Sequence, residues 1–77
     1  MYTNRRFRLN TPTLGIDSSG RKPQAVLVPA GSVIQVLKGP SETDPMVLVQ
    51  WESMALTMFV LDVRERGEEV AEAIAAD

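Results

Sequence analysis

Residues Met46 to Val63 read MVLVQWESMALTMFVLDV, and only Gln50, Glu52, Ser53, Thr57 and Asp62 among these are clearly polar. So apolar a stretch forms a core, a surface that meets a partner, or a ligand platform around Trp51, the only tryptophan. Alternation of side chains along a strand separates these readings. With Glu52 and Ser53 as the loop of a hairpin, Trp51 faces Met54, Val49 faces Leu56 and Val47 faces Met58, so one side is wholly apolar. A four-residue loop keeps this parity. A three-residue loop sets Trp51 against Ala55 and Val49 against Thr57, a poorer core, so an even loop is predicted. The opposite side carries Met46, Leu48, Gln50, Ala55, Thr57 and Phe59, and its Met, Leu and Phe call for a cover. The cover is supplied by the other strands of a small barrel with a C-terminal helix, by a second subunit, or by a ligand. Trp51 reads as a core or rim residue beside a turn, with a stacking platform as the alternative.

Working outward, short Val- and Leu-rich runs recur between turn signals, the spacing of a small all-β meander. In DSSGRKP, Gly20 could take the positive φ that a tight hairpin between Thr13–Asp17 and Gln24–Val28 would use. In VPAGSV, Pro29 presets the bend and Gly31 is free to take positive φ. Lys38 to Pro45, with two prolines and a glycine, reads as the longest exposed loop and a natural place for binding determinants. Beyond Val60 the pattern turns helical, with Asp62 as a possible N-cap, one turn over Asp62–Arg66 and Gly67 as a stop. The last segment is then a second short helix, with Val70, Ala73, Ile74 and Ala76 on one face, or a frayed tail. The expected organisation is one domain over 1–77: a basic N-terminal arm or edge strand at 1–12, a barrel core at 13–63, and a helical or frayed segment at 64–77.

Seventy-seven residues lie near the size at which one core only just offsets chain entropy, so help from a second subunit fits the length. The chain has no cysteine, which excludes disulfides and thiolate metal sites, and a cytoplasmic setting is the default. No run approaches the ~20 apolar residues of a membrane span, and the basic start lacks the apolar run of a signal peptide. The expectation is a soluble, unprocessed chain with no membrane partner. Its net charge of -2 hides an asymmetry. Arg5, Arg6, Arg8, Arg21 and Lys22 lie in the first 24 residues against Asp17 alone, while nine of the ten acids follow. Attraction between the two ends across one small domain explains this more simply than a nucleic-acid patch does.

The segments VPAGSVIQV, VLVQWES and MFVLDVRERG together resemble a group of small bacterial proteins with an SH3-like barrel and no established activity. The matching positions are Pro29, Ala30 and Gly31, then Trp51 and Glu52, then Met58, Phe59, Asp62, Val63, Arg66 and Gly67. The resemblance spans about residues 13 to 67 and implies a mainly β fold: an SH3-like barrel of five to six short antiparallel strands with a short C-terminal helical segment. It implies no function. Such proteins place glycine after the Trp-acid pair; Ser53 stands there in this chain, which points to a looser or longer turn.

With no histidine or cysteine, the commonest general base, metal ligand and thiol nucleophile are missing, and five serines have no histidine to activate them. Glu65, Glu68, Glu69 and Glu72 read as one solvated face, not as paired carboxylates in contrasting environments. ETDP is too short for a calcium loop, and SSGRK lacks the spacing and strand-to-helix setting of a phosphate loop. The expectation is a protein that is not an enzyme and uses no cofactor or metal. Two binding readings remain. In the first, a protein partner or a second copy docks on Met46, Leu48, Trp51, Glu52 and Phe59, with the Lys38–Pro45 loop and an open strand edge. In the second, nucleic acid meets Arg5, Arg6, Arg8, Arg21 and Lys22, with Phe7 and Tyr2 stacking on bases. Overall acidity and scarce aromatics favour the first.

Overall fold

A computed structural model describes residues 3–70. The decisive hairpin forms with the predicted register: β5 (Met46–Trp51) pairs antiparallel with β6 (Met54–Phe59), matching Val47 to Met58, Val49 to Leu56 and Trp51 to Met54 around a two-residue turn. The turn stays tight without glycine because Glu52 takes φ +56, and the Gln50 side-chain amide donates to the Glu52 carbonyl at 3.2 Å. Val47, Val49, Leu56 and Met58 are buried, and Trp51 and Met54 pack at the rim of that cluster.

Before this hairpin lie β1 (Arg6–Leu9), β2 (Thr13–Asp17), β3 (Gln24–Val28) and β4 (Val33–Lys38). After it come α1 (Val60–Arg66) and β7 (Gly67–Val70). The fold is therefore mainly β with a short helix, as expected, but the described residues form seven strands where five to six were expected. They form one antiparallel sheet in the order β3, β2, β6, β5, β4, β1, β7. Side chains with no exposed surface come from all across it: Leu9 on β1, Val28 on β3, Ile34 and Val36 on β4, Val49 on β5 and Leu56 on β6. A flat single layer cannot bury one face without a second layer, and a seven-residue helix covers only part of it. The sheet therefore curls around its own core, with Val63 of α1 entering from one side. A register shift between Val36 and Lys38 adds local twist. At Gly15 a Cβ would come within 3.2 Å of Leu56 Cβ, so glycine permits the close approach of β2 to the core side of β6.

Several local expectations are corrected. Residues 1–12 do not form an arm or an edge over their described part, because β1 lies between β4 and β7. Its RFRL alternation puts Phe7 and Leu9 in the core and Arg6 and Arg8 on the other side. Residues 67–70 are neither helix nor tail: β7 pairs with β1, setting Arg8 opposite Glu68 and Phe7 opposite Glu69. Ala73, Ile74 and Ala76, expected to share a helical face with Val70, lie outside the described residues. Asp62 is not the N-cap. The cap position is Phe59, which has no side-chain cap bond, and the Val60 amide donates instead to the Pro45 carbonyl at 2.8 Å. Asp62 stands in the first turn, 3.7 Å from Arg66. Gly67 does stop the helix, in extended rather than left-handed backbone, because a Cβ there would lie 2.6 Å from the Val63 carbonyl oxygen. Gly31 takes the positive φ expected of it, +89, while Gly20 does not. The 18–23 connection is instead opened by Asp17, whose Oδ1 accepts from the Ser19 amide at 2.9 Å and the Ser19 hydroxyl at 2.7 Å.

Candidate interaction face

The outer side of the β5–β6 hairpin continues across two further strands. Met46 stands opposite Phe59, and Leu48 opposite Thr57. Thr57 pairs with Ile16 on β2, Ile16 with Ala25 on β3, and Leu14 with Leu27. Two apolar rows therefore cross the sheet on one face. One holds Leu48, Thr57, Ile16 and Ala25. The other holds Met46, Phe59, Leu14 and Leu27, of which Phe59 is 55% exposed, Leu14 52% and Leu27 63%. None of the eight row positions is charged.

Of the residues picked out from sequence, Met46, Leu48 and Phe59 share this face. Trp51 does not, because its strand parity turns it to the core side, and Glu52 sits in the turn between β5 and β6. Leu14 and Leu27 were missed. A signal for them exists in TLGID: the two small residues, Thr13 and Gly15, take the core side, which leaves Leu14 and Ile16 facing out. Thr13 is buried with its hydroxyl donating to the Thr11 carbonyl at 3.0 Å, so the inward polar group is satisfied.

The 39–45 loop lies beside Met46 and Leu48, both only half-buried. Gly39, at φ +86, lets the chain double back, and a Cβ there would stand 2.7 Å from the Met46 carbonyl oxygen. Ser41 and Asp44 bridge each other through their backbones, and the Asp44 carboxylate accepts from the Met46 amide at 3.0 Å. Beside the loop lies an open groove of about 310 Å³, lined by Lys38, Ser41, Asp44, Met46, Leu48 and Thr57. The apolar rows thus run into a groove whose lining also includes polar groups.

The cations are dispersed. Arg5 makes a two-pronged ion pair with Glu69, Nε to Oε2 at 2.8 Å and Nη2 to Oε1 at 2.7 Å, and its guanidinium lies 5.6 Å from the centre of the Phe7 ring. The Arg5 hydrogen bond holds the Glu69 carboxyl below its ordinary range. Asp17 is lowered likewise by its hydrogen bonds from Ser19. Phe7 is only 5% exposed, so it is closed to base stacking, contrary to expectation. Tyr2 lies outside the described residues. Arg6 and Arg8 stand on the outer side of β1, and Arg21 and Lys22 in the 18–23 connection between β2 and β3; in the sheet order β6, β5 and β4 intervene between β1 and that pair of strands. Among the described residues, no group of three or more Asp or Glu side chains could hold a metal ion, and no helix is long and apolar enough to cross a membrane. Neither a family model, nor a curated protein, nor a solved structure matches the chain.

Proposed function

We propose that this protein is a non-enzymatic interaction module that holds a protein partner against the outer face of β2, β3, β5 and β6. The observation that carries the reading is the pair of uncharged rows, with Leu14, Leu27 and Phe59 each more than half exposed on a domain whose interior is otherwise filled. Burial of such side chains on binding is worth about 25 cal/mol per Å² before ordering costs, and none of it is used by the isolated fold. The groove beside Lys38 and Asp44 gives the same face polar groups that can fix orientation. An SH3-like barrel is part of this reading, since modules of that kind bind through surface grooves. Nucleic acid is the weaker alternative: Arg5 is engaged by Glu69, Phe7 is buried, and acidic residues of β7 adjoin the basic strand.

Selection from a random peptide library on the full chain tests the reading. Apolar peptides binding with Kd of about 1–100 µM are expected, weakened at least about tenfold by Leu14→Asp or Phe59→Asp. Peptides indifferent to both substitutions would contradict it. So would binding of a mixed oligonucleotide that weakens steeply with salt and disappears when Arg5, Arg6 and Arg8 are replaced by Ala.

A further inference from the structure

The two ends of the sheet differ. β7 carries Glu68 and Glu69, charges of the kind that discourage a further strand from adding. β3, at the other end, reads QAVLV, with no charge and no proline between Pro23 and Pro29, and every one of its residues except Val28 retains exposed surface. An uncharged terminal strand is a template for pairing.

We propose that a second copy of this chain occupies that edge, β3 adding antiparallel to β3 about a two-fold axis at Val26. This rests on the interaction-module reading and deepens it: the second copy lies beside the apolar face, in the plane of the sheet, and lengthens that face. Three features favour a second copy. Pairing about Val26 sets residues of like parity opposite each other, so outward-pointing amides meet outward-pointing carbonyls in either hydrogen-bonding phase. The same register puts Leu27 of one copy opposite Ala25 of the other, large against small. The row that ends at Leu27 then runs on into the row that begins at Ala25, making one apolar band across both copies. Finally, Arg21 and Lys22 precede β3, and antiparallel pairing keeps the cations of the two copies beyond opposite ends of a five-residue ladder that is itself roughly 15 Å long by strand rise. Like charges therefore do not oppose the contact. A ladder this short belongs with the smaller interfaces, under about 1,200 Å² in total, so the association is concentration-dependent.

Sedimentation equilibrium of the full chain from about 5 µM to about 1 mM tests the proposal. Its mass is expected to rise from 8.5 kDa toward twice that value. Leu27→Lys and Ala25→Lys, at exposed positions, should raise the dissociation constant at least about tenfold with unchanged circular dichroism, whereas Glu65→Lys on α1 should not change it. A dimer that survives both β3 substitutions overturns the edge pairing. A monomer at every concentration overturns it as well. If selected peptides still bind that monomer through Leu14 and Phe59, the module reading stands without the second copy; if none bind, both fall.

Discussion

Glu52 shows how one residue fixes a register. A two-residue hairpin turn requires positive φ in its first half, and the chain meets this with a glutamate at φ +56 instead of glycine. An L residue in the left-handed region costs about 1–2 kcal/mol, part of which glycine gives back through its looser unfolded chain. Glu52→Gly is therefore expected to raise stability by about 1 kcal/mol in chemical unfolding, with the Gln50 bond kept because it reaches the backbone of residue 52. A loss of stability would mean that the carboxylate holds the turn in some other way. The tight turn also explains why the missing glycine at position 53 does not lengthen the loop: the strained position is one residue earlier.

At the scale of elements, legibility tracked the strength of apolar alternation. β5 and β6 have six residues each and a continuous apolar side, so parity alone set their register. β2 and β3 were legible as strands with the right ends, yet their outward leucines were not, because the core side of β2 is taken by Thr13 and Gly15, small residues that do not announce a buried face. β1 has just two apolar residues, and three arginines close by hid them. β7, with the sequence GEEV, has helix-forming glutamates and no alternation; pairing with β1 and the Arg5–Glu69 ion pair override local propensity there. The outcome for the candidate site is similar. Met46, Leu48 and Phe59 follow from hairpin parity, whereas Leu14 and Leu27 join them through the order of strands, of which the small residues in TLGID give only the inward side. The standing of β1 is measurable. Phe7→Ala is expected to cost about 3–5 kcal/mol, as for a core aromatic, while removal of an arm residue would cost close to nothing in the same unfolding experiment.

The whole molecule combines a filled interior with an unshielded exterior. Among the described residues, ten buried apolar side chains from β1, β3, β4, β5, β6 and α1 form one cluster, and no buried side-chain nitrogen or oxygen lacks a hydrogen bond. The attraction between the basic start and the acidic end is realised locally, at Arg5 and Glu69, so charge serves here to fasten β7 to β1. What the fold leaves unsatisfied lies at the opposite end of the sheet: an uncharged β3 edge and the apolar rows beside it. The claim that this end meets a partner is tested most directly by amide hydrogen exchange of the full chain at low and high concentration. The account expects exchange at Gln24–Val28 to slow as concentration rises while Gly67–Val70 stays unchanged. Equal exchange across β3 at all concentrations, or slowing confined to β7, would contradict it.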